Sequence, residues 1–257
     1  MKDGFPARRR GEITTFYAPP PVAEDGTITL DRDEAHHART VCRLGRSDPI
    51  TIVDGEGLAH CCEVVLASPQ KFVCRVFKSV KNWGEPPVVV DLAAGLSKGS
   101  KFDWTCEKAT ELGVTRIIPL VSEKSAVKID DPASAKRRIA RYRRVTLAAM
   151  KQSLRSVWPE VGPIGSLFEV IETFDSYHRV LIADPTRGSI SFGKAAELVS
   201  SARKVLLIVG PEGGLSKADI ERLRENGAYS VSLGPRRLRT ETAAIAFLAR
   251  LMGVFEY

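Results

Sequence analysis

Two apolar runs near the carboxyl end of the chain each lead directly into a glycine-proline turn, and this arrangement constrains the fold most strongly. Residues 205–209 read Val-Leu-Leu-Ile-Val before Gly-Pro-Glu-Gly-Gly at 210–214, and residues 229–233 precede a second Gly-Pro pair. The first run, β-branched and leucine throughout, is typical of a strand buried on both faces of a parallel sheet. The pattern predicts two strands, each followed by a tight loop.

A helix is predicted after each of these turns. Ser216 and Asp219 have the spacing of a capping box, with Ile220 and Leu223 as inward positions, and Thr240 is placed to cap the second helix. Both loops and both helix N-termini then lie at the carboxyl ends of neighbouring strands. Open α/β sheets bind ligands at that edge, where backbone N–H groups are free and loops shape a crevice.

Composition and charge limit the classes of protein to which the chain can belong. Strand and helix patterns alternate from residue 88 onward, which predicts an α/β domain. At 257 residues, 44% hydrophobic and 27% charged, the chain suits one large or two modest globular domains. The formal net charge of +7 favours a polyanionic partner.

Several site and targeting classes are not indicated. Five cysteines without a C-x-x-C spacing predict neither a disulfide framework nor a zinc site, and the adjacent His36 and His37 point in different directions on a helix, so we expect no metal. The first residues lack the apolar core of a signal peptide, and no apolar run of about 18 residues occurs. We expect a soluble, cytoplasmic protein without a membrane partner.

The amino-terminal third has the pattern of a small β-barrel. Short apolar runs alternate with turn residues, and Asp-Gly-Glu-Gly at 54–57 marks a hairpin. One helical interruption is predicted from Asp33 to Val41. The Pro- and Gly-bearing stretch at 82–87 indicates a linker, so the predicted domains are residues 1–80 and 81–257.

Motifs at four separated places resemble the RsmE family of SPOUT methyltransferases, the 16S ribosomal RNA uridine N3-methyltransferases. They are His37 with Val41, Arg43 and the turn at 54–57; Gly-Leu-Ser-Lys-Gly at 95–99 with Phe-Asp-Trp at 102–104 and Glu-Lys-Ala-Thr-Glu-Leu-Gly at 107–113; Leu-Ile-Val-Gly-Pro-Glu-Gly-Gly at 207–214; and Leu-Gly-Pro-Arg-Arg-Leu-Arg-Thr-Glu-Thr-Ala at 233–243. The resemblance covers nearly the whole chain.

The resemblance implies a fold and an activity. The fold is an α/β SPOUT domain, a trefoil-knotted parallel sheet with helices on both faces, preceded by an RNA-binding PUA-like β-barrel. The activity is methylation of a uridine at N3, with S-adenosylmethionine as cofactor and 16S ribosomal RNA or the assembled small ribosomal subunit as partner. The implied assembly is a homodimer.

The resemblance also assigns site residues. The cofactor-binding set consists of Ala183, Asp184, Gly210, Pro211, Glu212, Gly213, Gly214, Leu233, Gly234, Leu238, Thr240, Thr242 and Ala243. We take Arg155 and Arg239 as catalytic: a cationic pocket would stabilise the uridine anion that develops when the imide loses its proton, without a strong base. The alternative for Arg239 is an ion pair with Glu241 or Glu212.

RNA contacts are predicted on two basic stretches. A long amphipathic helix from Pro132 to Leu154 carries Lys136, Arg137, Arg138, Arg141, Arg143 and Arg144 on its polar faces, which could attract RNA or simply be solvated. The predicted RNA-binding residues are Arg8, Arg9, Arg10, Arg39, Arg43, Lys98, Arg138, Arg141 and Arg236. Arg8 to Arg10 could equally be a solvated terminus.

The loop after that helix departs from the family pattern. Lys151, Leu154 and Ser156 stand where relatives carry other residues, and Leu154 replaces a glycine. Leucine resists positive φ, so the substitution matters if the glycine used that conformation.

Three other interpretations stay open at this point. A Rossmann-type turn at 95–99 has only two glycines where a dinucleotide turn needs three. The remaining two are a SPOUT methyltransferase acting on another RNA position, such as a ribose 2′-hydroxyl, and a non-catalytic RNA-binding ribosome-assembly factor.

Overall fold

The computed structural model describes residues 14–125, 127, 131–186 and 188–255. These described residues divide into two compact units, one with those up to Glu85 and Ala148–Trp158, the other with those from Pro86 to Leu147 and from Pro159 onward. The division after Glu85 falls within the predicted linker. The segment after the long helix, which the predicted domains place in the second domain, belongs to the first unit.

The first unit is built on a mixed sheet. Within the described residues its five strands are β1 (Thr15–Tyr17), β2 (Thr27–Thr29), β3 (Pro49–Val53), β4 (Leu58–Ala67) and β5 (Phe72–Lys81). Their order is β1-β3-β4-β5-β2, with β1 parallel to β3 and the other pairs antiparallel. The turn at 54–57 joins β3 to β4, so the predicted hairpin is confirmed. Phe16, Ile52 and Phe72 lie in the fully buried core of this sheet.

The predicted helical interruption is also confirmed. Helix α1 (Arg32–His36) is capped by Asp31, whose side chain accepts from the Glu34 amide, and it continues as a π-helical turn, His37–Val41. A residue with positive φ, Arg43, follows this turn at φ 54°.

The second unit is an α/β layer with a wholly parallel sheet. The eight strands of its described residues are β6 (Val89–Gly95), β7 (Arg116–Val121), β8 (Glu160–Val161), β9 (Gly165–Ser166), β10 (Arg179–Ala183), β11 (Ile190–Ser191), β12 (Lys204–Val209) and β13 (Tyr229–Ser232). Their order is β11-β13-β10-β12-β6-β7-β8, with β9 also pairing β7. The α/β fold with a parallel sheet is as predicted.

Helices cover this sheet on both faces. They are α2 (Lys101–Glu111), α3 (Pro132–Gln152), α4 (Leu167–Ile171), α5 (Phe192–Val199), α6 (Lys217–Glu225) and α7 (Thr240–Met252), with a 3-10 turn at Phe174–Ser176. Along β12, Leu207 and Leu206 enter different hydrophobic clusters, because successive side chains of a strand point to opposite faces. The prediction that residues 205–209 form a strand buried on both faces is confirmed.

The ends of the helices test the predicted capping residues. Ser216 and Asp219 form the predicted capping box at the start of α6. The capping role predicted for Thr240 is wrong: Thr240 is the first residue of α7, and the capping position is Arg239, whose side chain makes no capping hydrogen bond. Among the described residues, no helix combines the length and the apolar character needed to cross a membrane.

Candidate active site

A cavity of about 1150 Å³ opens in the second unit at the carboxyl ends of β10, β12 and β13. Three loops line it, at residues 183–186, 210–215 and 232–240, together with the first turn of α7. All of the predicted cofactor-binding residues except Thr242 lie in this lining; Thr242 is exposed on α7. Parallel strands bring the carboxyl ends of distant segments to one edge, which is why the paired turns meet there.

Glycines allow the loop at 210–214 to pack against neighbouring backbone. A Cβ atom at Gly95, the last residue of β6, would collide with the main chain of Pro211, and one at Gly213 would lie 2.6 Å from the Lys124 carbonyl oxygen. Gly214, at φ +73°, donates its amide to the Pro211 carbonyl at 2.7 Å. The loop is therefore a tight turn in fixed contact with β6.

Asp184 anchors the loop that follows β10. Its carboxylate accepts the Thr186 amide at 2.9 Å and the Arg224 guanidinium at 3.1 Å, and Arg224 also donates to the Ser230 hydroxyl at 2.8 Å. Burial alone would raise the pKa of Asp184, but the hydrogen bonds from Thr186 and Ser230 and the charge of Arg224 outweigh it and hold the pKa below its ordinary value. The predicted Asp184 thus supports the cavity as an ionised anchor.

Two charged residues that the sequence analysis did not assign also line the cavity. Lys101, the first residue of α2, pairs with Glu212 at 2.6 Å. One carboxylate oxygen of Glu241 is buried and has no hydrogen-bond partner within the described part of the chain. The position of Lys101 just after the Gly-Leu-Ser-Lys-Gly motif was a sequence signal for its role. The burial of Glu241 had no such signal.

Arg239 lies exposed on the cavity lining. Neither of its predicted alternative ion pairs is present, since Glu212 pairs with Lys101, and Arg239 makes no ion pair with any described residue. Its guanidinium is therefore available to a ligand in the cavity.

Arg155 has a different environment in the first unit. Only 2% of its side chain is exposed, and its guanidinium donates to Glu85 at 2.5 Å and 3.1 Å. The same carboxylate accepts the amides of Ser156 and Val157, both at 2.9 Å. Arg155 is not part of the cavity lining. These contacts hold the loop after α3, and the catalytic role of Arg155 stays a prediction.

The neighbouring Leu154 adopts a positive φ, which is the conformation in which replacing a glycine by leucine matters. Its φ is 61°, in the left-handed region, and a Cβ at Gly84 would collide with its carbonyl oxygen. Lys151 forms an ion pair with Glu34. Lys151 and Leu154, two of the three departures from the family pattern, thus both lie against residues of the first unit.

The predicted RNA-binding residues are dispersed. Arg8, Arg9 and Arg10 lie outside the described residues. Arg43 and Lys98 are exposed, Arg39 and Arg138 are half-buried, and Arg236 lies on the exposed lining of the cavity. Arg141 is paired with Asp103.

The cavity suits S-adenosylmethionine by the chemistry of its lining. Leu233 and Leu238 supply apolar surface, the glycine loops supply main-chain groups for a purine, and the buried unpaired oxygen of Glu241 can accept from a cationic group. The described residues hold no group of three or more His, Cys, Asp or Glu side chains that could bind a metal ion.

Comparisons with known proteins identify the family of the chain. The family model for the RNA methyltransferase domain matches residues 84–252. The chain is 32% identical over 234 residues to ribosomal RNA small subunit methyltransferase E of Bacillus subtilis, covering 90% of this chain and 91% of that protein. It is 29% identical to the protein of the same name from Aquifex aeolicus, covering 88% and 93%.

Two solved structures share the fold across nearly their whole length. One is ribosomal RNA small subunit methyltransferase E of Neisseria gonorrhoeae bound to S-adenosyl methionine, with a TM-score of 0.83, 28% identity and coverage of 95% and 98%. The other is a methyltransferase from Legionella pneumophila in complex with the same cofactor, with a TM-score of 0.83, 27% identity and coverage of 94% and 98%. With its paired glycine loops, its matching family model and these relatives, the chain belongs to the ribosomal RNA small subunit methyltransferase E family of RNA methyltransferases.

Proposed function

We propose that this protein transfers the methyl group of S-adenosylmethionine to N3 of a uridine in 16S ribosomal RNA. The single observation that carries the proposal is the cavity at the carboxyl ends of β10, β12 and β13, which brings together nearly all of the predicted cofactor residues. The names of the relatives and the cofactor bound in two neighbours support the substrate and the donor.

Main-chain groups and one carboxylate would hold the cofactor. Loops 210–214 and 233–240 would bind the adenine, because their glycines leave backbone donors and acceptors open to a flat ring. The unpartnered buried oxygen of Glu241 would accept from a cationic group of the cofactor. Lys101 fixes Glu212 and with it the loop at 210–214.

The uridine is activated by charge stabilisation. When bound, S-adenosylmethionine supplies the methyl group, whose bond to sulfur breaks as the bond to N3 forms. The N3 proton leaves to solvent, and the exposed guanidinium of Arg239 stabilises the negative charge that develops on the uracil ring. We assign no step to Arg155, whose guanidinium is paired with Glu85.

Exposed lysine and arginine side chains bind the phosphates of the RNA backbone. On α3, Lys136, Arg137 and Arg144 are exposed, and the first unit contributes Arg43 and Arg46. Lys and Arg contacts to phosphates position a nucleic acid without reading its sequence. The substrate is 16S ribosomal RNA, either free or in the assembled small subunit.

The same proposal includes a trefoil knot in the second unit, a PUA-like barrel in the first unit and a homodimer. The strand order β11-β13-β10-β12, in which β13 is inserted between β10 and β11, supports a trefoil knot. The hairpin-rich five-stranded sheet supports a PUA-like barrel. The family resemblance supports a homodimer that works in the cytoplasm.

The experiment is a comparison of cofactor binding and product identity. Calorimetry with S-adenosylmethionine is followed by incubation with free 16S ribosomal RNA or assembled subunits, and nucleosides are then mapped by mass spectrometry. We expect cofactor binding and a methyl group at uridine N3. Absence of cofactor binding would indicate a non-catalytic RNA-binding factor. Methylation of a ribose would indicate a SPOUT methyltransferase that acts on another RNA position. Either result overturns the proposal.

A further inference from the structure

A break in strand register turns one aromatic residue out of the sheet of the first unit. Cys61 of β4 pairs with Lys78 of β5, but the next residue, Cys62, pairs with Val76. Phe77 therefore stands opposite no residue and forms a β-bulge. Bulges bend the strand and re-aim side chains. The side chain of Phe77 is 64% exposed.

A hollow of about 400 Å³ lies beside this residue. Its lining combines Phe77 and Pro49 with Lys78, Glu63 and Ser47, and it includes the buried Cys61. The volume is within the range of small-ligand pockets, roughly 300–1,000 Å³. The hollow is therefore large enough for a heterocycle, with the ring of Phe77 and the polar side chains of Glu63 and Lys78 in its lining.

The charges around the hollow fit a polyanion. Lys78 and Arg75 are exposed on β5, Arg46 is exposed beside Ser47, and Glu63 is the cross-strand neighbour of Arg75. Three cations thus surround or adjoin a single carboxylate. An exposed aromatic beside cations is the arrangement with which proteins hold unpaired nucleic-acid bases, because the ring stacks on the base and the cations meet its phosphates.

We propose that this hollow binds an unpaired guanine of the RNA substrate. The base stacks on Phe77, and the two oxygens of Glu63 accept from the adjacent N1–H and N2–H₂ groups of guanine, which no other standard base offers together. Lys78 and Arg75 meet the flanking phosphates. This inference rests on RNA being the substrate, as proposed above, but it does not depend on the methyl-transfer chemistry.

The test measures binding of four labelled RNA pentamers, UUGUU, UUAUU, UUCUU and UUUUU, to the full chain by fluorescence anisotropy. We expect the guanine pentamer to bind most tightly. Phe77→Ala should weaken its binding by roughly 5- to 150-fold, since stacking is worth about 1–3 kcal/mol per base. Phe77→Trp should preserve binding, and Glu63→Gln should remove the guanine preference.

Leu66→Ala is the matched control, because Leu66 is an exposed apolar residue of β4 outside the hollow. It should bind all four pentamers like the wild type. Equal affinity of Phe77→Ala and wild type, or an equal loss in Leu66→Ala, would overturn the proposal. Cofactor affinity and methyl transfer are measured on the same preparations. If methyl transfer is intact and Phe77→Ala has no effect on RNA binding, only the proposed guanine site is refuted. If binding is selective for guanine but no methyl group is transferred, only the proposed function is refuted.

Discussion

At the scale of single residues, Arg155 and Arg239 carry the same charge but have opposite environments. Arg155 is buried against Glu85, whereas Arg239 is exposed on the cavity. A buried guanidinium paired with a carboxylate has its charge offset by that partner. We therefore propose the exposed Arg239 as the cation that acts on the uridine.

Replacing Arg239 tests this assignment. Arg239→Ala should lower kcat/KM for methyl transfer by roughly 100- to 1,000-fold, which is typical of removing one donor to a developing anion. Cofactor affinity, measured by calorimetry, should change by less than about 3-fold, because the guanidinium acts on the uridine. Arg222→Ala, an exposed arginine on α6 outside the cavity, is the control and should leave both quantities unchanged. Normal turnover of Arg239→Ala would contradict the mechanism.

Leu154 makes a separate prediction about stability. A leucine in the left-handed region costs about 1–2 kcal/mol relative to a right-handed conformation, and glycine does not pay this cost. Because glycine gains entropy in the unfolded chain, Leu154→Gly should raise the free energy of unfolding by only about 0.5–1 kcal/mol. Leu154→Ala keeps the strained φ and removes packing, so it should lower that free energy. Urea denaturation distinguishes them, and equal destabilisation by both variants would show that packing of the leucine dominates.

Asp184 makes the stability of the protein depend on pH. Its folded pKa is lowered, so between that pKa and its ordinary value near 3.8 the unfolded chain binds more protons. The stabilisation is present above pH 3.8 and is lost as the pH falls through the folded pKa. Asp184→Asn should therefore lower the free energy of unfolding at pH 7, by about 1–3 kcal/mol for a hydrogen-bonded charge, and match the wild type in strong acid. Asp175→Asn, at an exposed position, is the control. A deficit independent of pH would contradict the charge as its cause.

At the scale of elements, β6 and the loop at 210–214 depend on each other. No side chain can be placed on Gly95 without moving the backbone at Gly210 and Pro211, and a Cβ there would lie 2.7 Å from the Gly210 carbonyl carbon. Backbone cannot yield as a flexible side chain does. The glycine is thus a packing requirement of the cofactor loop.

Gly95→Ala should consequently weaken S-adenosylmethionine binding by roughly 10-fold or more, since overpacking costs about 1–3 kcal/mol. Gly193→Ala is the matched control, because a Cβ at Gly193 in α5 meets only ordinary contacts and alanine favours the helix. Calorimetry measures the affinities, and circular dichroism confirms that both variants fold. Unaltered affinity in Gly95→Ala would show that the loop can move without loss of the site.

Sequence patterns predicted those features that depend on neighbouring residues. The strand at 205–209, the capping box of Ser216 and the hairpin at 54–57 all follow from local composition, and each is present. The partner of Arg155 could not be predicted, because Glu85 is 70 residues away and no periodicity relates the two. The bulge at Phe77 could not be predicted from the sequence either, because a change of register depends on how two strands pair.

At the scale of the whole molecule, we expect the surface charge to determine RNA affinity and the cavity to determine cofactor affinity. The net charge of +7 includes exposed arginines on α3, whereas the proposed cofactor site is a cavity lined by main-chain groups and side chains of three loops. Phosphate contacts release counterions, so their strength falls with salt, and contacts inside a cavity are screened much less.

RNA affinity should therefore weaken by at least about 10-fold between 50 and 200 mM salt, while cofactor affinity stays nearly constant. Removing two exposed cations of α3, in Arg137→Ala with Arg144→Ala, should make the plot of log affinity against log salt shallower by about 1–2. The control removes Arg203 and Arg222, which are also exposed but lie outside α3, and alters the net charge by the same amount. If the two double variants have the same slope, the basic face of α3 is a solvated surface and the phosphates are bound elsewhere.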